Sequence, residues 1–328
     1  MEYETQEKLA LFTTNAQAIK KEFFWHNNMT KRLAALLYAL ENKQIDCEAI
    51  QRRHALIRQN TNAFSTFRGN MALCLATLLA LSPDPQSLLD ETLFVYNLLK
   101  GAKFRASDYL VIAAYQIAAQ TSADNYLNVL NRTKAFYNDM KAQHFFHTGQ
   151  DDYIFGAMLG LADIDVEEGS LRIERLYNRL KGEFWSKNSV QALAQVLVLG
   201  GSDDDATGRV LALRDALREQ KIRLDKSYTL SALGVLALLP VEIDVIVNDI
   251  GAAQTALRGQ KWFGPLYVAA QELLLYAVAL VAGEYAQNIK DGVVTAMLST
   301  SITNIIIAQQ AAMAAAASAS AASASSSS

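Results

Sequence analysis

The densest group of chemically useful side chains is the segment from His144 to Asp152, which reads His-Phe-Phe-His-Thr-Gly-Gln-Asp-Asp. It holds two of the four histidines, and imidazoles beside carboxylates can bind a divalent cation or exchange protons near neutral pH. The structural alternative, which we favour, is that His144 closes one helix and Asp151 or Asp152 caps the next. His144, His147 and Asp152 are therefore candidate binding residues.

Glu272 is a further candidate because it lies in an otherwise uncharged segment from Tyr267 to Tyr276. A carboxylate in such surroundings must be paired, protonated or directed into a polar cavity. It could line a central cavity together with glutamines of similar apolar segments, or it could pair with an arginine of an outer helix or face solvent at the end of the array. The glutamines in question are Gln116, Gln191, Gln195 and Gln271.

Established catalytic and metal-binding patterns are absent from the sequence. It contains no glycine-rich phosphate loop, no zinc-protease H-E-x-x-H and no serine-hydrolase G-x-S-x-G. Two acidic stretches, 163–174 and 203–214, resemble calcium loops, but the first has its glycine displaced to Gly169 and the second ends on Arg214 instead of glutamate. The sequence therefore predicts no cofactor and no metal, leaves enzymatic activity open and favours a non-enzymatic role.

These side chains must be positioned by a tandem repeat of helix pairs. An amphipathic helix, a break with an aromatic residue and a nearly uncharged apolar helix recur seven times, with a period near 39 residues. Such pairs predict an all-α fold, either an α/α toroid or a strongly curved α-solenoid, with the apolar helices inside. The apolar helices are expected to start near Thr30, Met71, Tyr109, Tyr153, Val190, Tyr228 and Tyr267.

The breaks share a register. Trp25, Trp185 and Trp262 each lie five residues before a start position, as Phe104 does. In three copies a basic residue and a glycine precede the aromatic residue; these glycines are Gly101, Gly182 and Gly259. We expect the glycines to take the left-handed conformation that ends a helix, and the tryptophans to be buried between pairs.

The composition excludes several classes of protein. Half of the residues are hydrophobic (51%), 19% are charged and only four are proline, which argues against an all-β or a disordered chain. The net charge of −3 indicates neither a nucleic-acid surface nor a polybasic membrane contact. Cys47 and Cys74 form no C-x-x-C pair, and the acidic start lacks the features of a signal peptide, so we expect a cytoplasmic protein.

The chain also resembles a known family. The Phe-Trp and Phe-Phe breaks, the tyrosine-led apolar helices and the ending from Ser301 to Met313 resemble a family of uncharacterised bacterial proteins, chiefly from Gram-positive organisms. Its members are similar in length, so the resemblance covers nearly the whole chain. It implies no established activity, cofactor or catalytic residue.

The domain organisation follows from the repeat and from the charge-free end. Residues 1–291 are expected to form a single helical-repeat domain, 292–317 a C-terminal docking helix and 318–328 a disordered tail rich in Ala and Ser. The charge-free stretch is long enough to cross a membrane. Thr, Ser, Asn and Gln side chains interrupt it, however, and no basic cluster flanks it, so we predict docking on the array.

Two functions fit this architecture. The first is an interaction protein that binds a protein or peptide partner on its concave inner surface, because curved arrays offer such surfaces. The alternative is an α/α-toroid enzyme or small-molecule binder with its site in a central cavity near Glu272. We expect no nucleic-acid partner and no membrane anchor.

Overall fold

The computed structural model describes residues 3–201, 206–287, 303, 305–308 and 311, and this part of the chain is helical without a strand, which confirms the all-α prediction. Fourteen α-helices follow one another in seven pairs. The first helices of the pairs are α1 (Tyr3–Glu22), α3 (Cys47–Gln59), α5 (Pro85–Gly101), α7 (Tyr126–Gln143), α9 (Val166–Leu180), α11 (Ala206–Glu219) and α13 (Ile243–Arg258). The second helices are α2 (Asn28–Leu40), α4 (Ala72–Leu81), α6 (Asp108–Gln120), α8 (Asp152–Leu161), α10 (Lys187–Leu199), α12 (Leu230–Leu238) and α14 (Ala270–Gln287).

The two helices of each pair differ in polarity, and this difference decides how far each is covered. Eight of the ten residues of α4 are buried, because its sequence is apolar on every face. In α9 the buried residues form one stripe that includes Ile173, Leu176 and Leu180, and charged residues occupy much of the remaining surface. The even-numbered helices are therefore covered on all sides, whereas the odd-numbered helices keep a solvated face.

Helix contacts connect each pair to the next and connect the last pair to the first. Each odd-numbered helix packs against the following odd-numbered helix, and α13 packs against α1. Among the even-numbered helices, α2 packs against α4, the helices from α6 to α14 pack in sequence, and α14 packs against α2. The α4 helix meets the third pair through α5. The seventh pair consequently lies beside the first.

Two arginines fasten the ends of even-numbered helices. The last carbonyl groups of a helix have no partner within it, and a guanidinium group offers five donors for such acceptors. Arg132 of α7 donates to the carbonyl oxygens of Gly160, Ala162 and Ile164 at 2.6–2.9 Å. Arg209 of α11 repeats this arrangement at the end of α12, with the carbonyl oxygens of Ala237, Leu239 and Val241.

The prediction of buried tryptophans is wrong for two of the three residues. Trp25 and Trp185 are 92% and 97% exposed, and only Trp262 is buried, at 3% exposure. The inward positions belong to neighbouring phenylalanines: Phe23 and Phe184 are each 5% exposed. The shared spacing located the breaks correctly. At Trp25 and Trp185, however, it indicated an exposed tryptophan, whereas the nearby phenylalanine fills the core.

The glycines of the breaks do not take the left-handed conformation that we expected. Gly101 is still part of α5, and the left-handed residue of that break is Lys103, with φ of 74°. The break after α13 places Trp262 in this conformation, with φ of 77°. Among the described glycines, only Gly201 has a positive φ, of 70°. The chain reverses two to four residues after the helix ends, beyond the position of the glycine.

Five described residues near the C-terminus are buried in the hydrophobic core: Ile305, Ile306, Ile307, Ala308 and Ala311. All five are helical, as is Thr303. The remainder of the predicted segment 292–317 and the tail 318–328 lie outside the described residues. Within the described part of the chain, no helix combines the length and the hydropathy that crossing a bilayer requires.

The break between α9 and α10 allows a direct test of these side-chain assignments. We expect Phe184→Ala to lower the free energy of unfolding by roughly 3–5 kcal/mol, because it empties a buried aromatic site. Trp185→Ala, one residue further, should change it by less than about 0.5 kcal/mol because the indole is exposed. Urea unfolding of the two variants measures both values. Equal losses would show that the indole packs against the protein in solution.

Candidate functional site

Asp152, the first residue of α8, joins the connection before its own helix to the neighbouring helix α10. Its Oδ2 atom accepts a hydrogen bond from the backbone N–H of Gly149 at 2.9 Å. Its Oδ1 atom accepts from the side-chain amides of Gln191 at 3.1 Å and Gln195 at 3.3 Å. The carboxyl group is buried, so these bonds replace the water it would otherwise bind.

The protonation of Asp152 is also altered by its surroundings. Burial, reinforced by the neighbouring Asp151 carboxylate, raises the pKa of Asp152 to about 7, against the opposing effect of its three hydrogen bonds. The group can therefore change its charge near neutral pH. This combination of burial and an altered pKa is frequent at functional sites and also occurs in structural networks.

Asp152 forms part of the wall of a polar cavity of about 230 Å³. The wall is rich in hydroxyl and amide groups, contributed by Ser186, Asn188, Ser189, Ser227 and Tyr228. A second cavity, of about 300 Å³, lies at the start of α4 and α6 and is lined by residues that include Asn70, Met71, Asp108 and Tyr109. Ala308 borders the first cavity and Ala311 borders the second.

The glutamines that the sequence suggested as cavity residues have different surroundings. Gln191 and Gln195 bind Asp152, as described above. Gln116 of α6 is completely buried, and neither atom of its side-chain amide has a hydrogen-bond partner. Gln271 is half-buried and is not part of the hydrogen-bonded group around Glu272.

The two histidines of the His144–Asp152 segment face away from Asp152. His144 is the residue that ends α7, and its Nε2 atom lies 2.6 Å from Oε2 of Glu174 on α9. Its ring also contacts the ring of Tyr177, with 4.1 Å between the centroids. His147 is half-buried and lines an open cleft together with His144, Glu174 and Tyr177. Among the described residues, no group of three or more His, Cys, Asp and Glu side chains could hold a metal ion.

Glu272 is paired with an arginine, as the structural alternative expected, but the arginine belongs to an even-numbered helix. Its Oε1 atom accepts from Nε of Arg32 on α2 at 2.9 Å and from the hydroxyl of Tyr276 at 2.5 Å. Both charged side chains are at most 5% exposed. Burial and the Glu272 carboxylate raise the pKa of Tyr276 well above its usual value of 10, so the hydroxyl group remains a donor.

Arg32 makes further contacts with the seventh pair. It donates to the carbonyl oxygen of Tyr267 at 3.3 Å, and its guanidinium group lies 4.9 Å from the ring centre of Trp262. A second buried ion pair, Lys8 with Glu284 at 2.8 Å, joins α1 to α14. We call the contact between the seventh and first pairs, with these two ion pairs, the seam. Sequence reasoning named Glu272 but found neither Arg32 nor Lys8.

The seven connections that lead from an odd-numbered helix to the next even-numbered helix form one end of the molecule, which we call the loop face. They comprise residues 23–27, 60–71, 102–107, 144–151, 181–186, 220–229 and 259–269. Eight of the twelve large hydrophobic side chains found to be exposed in the described part of the chain lie on this face. They are Phe24, Trp25, Phe64, Phe145, Phe146, Trp185, Leu266 and Tyr267.

The charges of the two ends differ. The loop face contains three acidic residues and eight basic ones, which are Arg68, Lys103, Arg105, Lys181, Lys221, Arg223, Lys226 and Lys261. The described connections at the opposite end contain one basic residue and seven acidic ones, which are Glu41, Asp46, Asp84, Asp124, Asp163, Asp165 and Glu242. The small net charge of the chain therefore conceals a basic end and an acidic end.

Comparison with known proteins adds a family to these observations. Residues 15–311 match the family described as a protein of unknown function, DUF4003. The chain belongs to this family. No curated protein and no solved structure matches the chain. The match begins within α1 and reaches the buried residues near the C-terminus, so it includes Asp152, the loop face and the Arg32–Glu272 pair of the seam, whereas Lys8 lies before it.

The seam provides a test of the Glu272 assignment. Glu272→Gln should lower the free energy of unfolding by about 3–5 kcal/mol, because it leaves the buried Arg32 without its counter-charge. Glu48→Gln is the matched control: Glu48 pairs with Arg52 at 3.6 Å on an exposed surface, so its loss should cost less than about 1 kcal/mol. Similar losses in urea unfolding would contradict the buried pair.

The raised pKa of Asp152 predicts a particular dependence of stability on pH. Because the folded protein holds this proton more tightly than the unfolded chain does, stability should fall as the pH rises from about 4 to about 7. Asp152→Asn should remove that part of the slope, since the amide cannot ionise. Asp163→Asn, at an exposed carboxylate, should leave the slope unchanged. Identical profiles for Asp152→Asn and the wild type would refute the assignment.

Proposed function

We propose that the seven helix pairs form a closed α/α toroid of tandem repeats. The contacts of α14 with α2, of α13 with α1, and the two buried ion pairs of the seam support closure. An open solenoid would expose the apolar sides of its first and last even-numbered helices, whereas α2 and α14 are buried along most of their length.

We further propose that segment 292–317 is a docking helix that fills the centre of the ring. Seven helices packed about 10 Å apart would have their axes about 11–12 Å from the centre of the ring. The opening that remains is close to the diameter of one helix, about 10–12 Å. The burial of Ile305, Ile306 and Ile307 and the positions of Ala308 and Ala311 between two cavities support this arrangement. The tail 318–328 has no large side chains to bury and stays outside the packed domain in this proposal.

The function that this architecture supports best is docking, with the loop face as the contact surface. The observation that carries this proposal is the set of eight exposed large apolar side chains at one end of the molecule. Single exposed apolar residues are normal on protein surfaces, but a group concentrated on one face is typical of an interaction site. The loop face replaces the concave inner surface as the proposed contact region because the even-numbered helices have few exposed side chains.

A small-molecule binder or enzyme with a site in the ring remains the alternative. Asp152 and the polar wall of its cavity favour it, but the two cavities, of about 230 and 300 Å³, are small for ligand sites and are bordered by Ala308 and Ala311. A ligand that raised the melting temperature of the wild type but not of Asp152→Asn would favour this alternative.

We place the docking protein in the cytoplasm. Both cysteines are free thiols, and Cys74 is buried, where burial alone raises the pKa of its thiol. Free thiols without a disulfide partner are typical of a reducing compartment.

Photo-crosslinking in cells tests the docking proposal. The photoreactive amino acid p-benzoylphenylalanine is introduced at position 25, 146 or 185 of the loop face. Positions 94, 127 and 171 are matched controls, because Phe94, Leu127 and Leu171 are exposed apolar residues of odd-numbered helices. We expect adducts with other cellular molecules from the loop-face positions only. Equal yields from both sets, or none from either, would contradict a docking role for this face.

A further inference from the structure

The connections of the loop face are held in place by contacts with adjacent pairs. Three connections contact a helix of the adjacent pair: Nζ of Lys20 in α1 lies 5.1 Å from the ring centre of Trp262, and the backbone N–H of Arg105 donates to the hydroxyl of Tyr153 in α8 at 3.3 Å. The side chain of Asn188 donates to Asp151 at 3.0 Å. Thr66 and Ser107 line one cavity, and Asp151, Ser186 and Ser227 line another, so neighbouring connections lie close together. The matching partner is therefore a flat and extended one.

The exposed apolar side chains on this face come from five of the seven connections, and in two of these connections adjacent rings contact each other, Phe24 with Trp25 at 5.1 Å and Phe145 with Phe146 at 5.5 Å between ring centres. Trp25, Phe146 and Trp185 come from different connections and are each more than nine-tenths exposed, as are Phe64 and Leu266. Tryptophan and tyrosine concentrate at the boundary between lipid headgroups and acyl chains, where an amphipathic ring has both an apolar and a wet environment. Several such rings on one face can enter a bilayer surface together.

Basic residues fill the connections that lack exposed apolar side chains. The α5–α6 connection presents Lys103 and Arg105, and the α11–α12 connection presents Lys221, Arg223 and Lys226, all exposed. Anionic headgroups attract each such cation near the surface. The acidic opposite end would be repelled by the same lipids, so the charges favour one orientation of the ring.

Helix capping alone does not explain this distribution. Cations are favoured at helix C-termini and anions at N-termini. The loop face contains the C-termini of the odd-numbered helices and the N-termini of the even-numbered ones, so the dipoles favour both signs there. Capping also provides no reason for indole and phenyl rings to be exposed at the tips of the connections.

From these observations we infer that the loop face binds the surface of an anionic lipid bilayer, with its aromatic tips in the headgroup region and its basic connections on the lipid phosphates. This inference rests on the loop face being the docking surface. It involves no membrane-spanning helix. Single-stranded nucleic acid fits less well, because it requires rings stacked along a basic groove, and Leu266 has no ring to stack.

Vesicle binding by the full-length chain tests the inference. Vesicles of phosphatidylcholine with about 30% phosphatidylglycerol are compared with pure phosphatidylcholine vesicles by co-sedimentation. We expect at least about tenfold stronger partitioning onto the anionic vesicles, and a large loss of this advantage at about 1 M salt because screening shortens the reach of the charges. Tryptophan emission should shift to shorter wavelength on binding, because Trp25 and Trp185 are exposed before binding.

Two triple variants identify the surface responsible. The variant Trp25→Ser, Phe146→Ser, Trp185→Ser should lose at least about tenfold in partitioning, because it removes apolar contact area from three connections. The control variant Phe94→Ser, Leu127→Ser, Leu171→Ser alters three apolar residues outside the loop face that are 55–63% exposed, and it should bind as the wild type does. Circular dichroism checks that both variants are folded.

The possible results separate the inference from the docking proposal. Binding to neither kind of vesicle, or equal losses in the two triple variants, would overturn the bilayer inference. If the loop-face positions then still crosslinked to a protein or a nucleic acid in cells, docking would stand and its partner would be that macromolecule. Without any loop-face adducts, both proposals would fail.

Discussion

The structure depends on the need to cover apolar helices on every side. A helix such as α4 has no polar face to turn toward water, so each even-numbered helix must have neighbours on both flanks as well as its own odd-numbered partner. In a linear array the first and last of these helices would each lack one neighbour. At the seam, α2 and α14 cover each other's apolar sides. This is why a contact between residues 240 positions apart in sequence matters to the whole domain.

The seam also shows how a polar contact can specify an apolar interface. Apolar surfaces of small side chains can slide past one another with little change in energy, whereas the Arg32–Glu272 and Lys8–Glu284 pairs are satisfied in one alignment only. A buried ion pair adds little net stability over a well-packed apolar substitute, but losing one partner strongly lowers the free energy of unfolding. The two pairs therefore fix which helices meet and in which register, while apolar burial supplies the driving force.

The sequence correctly predicted the features that depend on local periodicity, namely the helices and their approximate start positions. It failed where a shift of one residue decides which side chain is buried. The alternation of amphipathic and apolar helices fixed the helix content, and each even-numbered helix starts within three residues of its expected position. The register of the breaks could not tell Phe184 from Trp185, because the chain turns beyond the helix end and adjacent side chains then point in opposite directions. The tryptophans were expected inside because large apolar residues usually are.

The candidate site was only partly predictable for a different reason. Glu272 stood out because a charge in an apolar helix requires an explanation, and Arg32 in α2 carried the same signal without being recognised as its partner. The sequence separation of such partners is set by the closure of the fold and not by any helical spacing. Asp152 was named with His144 because they are near in sequence, yet the intervening connection turns one toward α9 and the other toward α10.

In each pair the helices supply the stability and the connection between them supplies the exposed side chains. This division links the fold to its proposed function. The helices supply nearly all of the core, so the connections of the loop face can keep Trp25 and Trp185 in water without weakening the domain. The C-terminal segment belongs to the same arrangement. It follows α14, which runs away from the loop face, and it brings Ala308 and Ala311 back to the cavities at the starts of the even-numbered helices. Ala308 and Ala311 therefore lie near the face that carries the exposed aromatic residues, and anything that contacts this face also lies near these two residues.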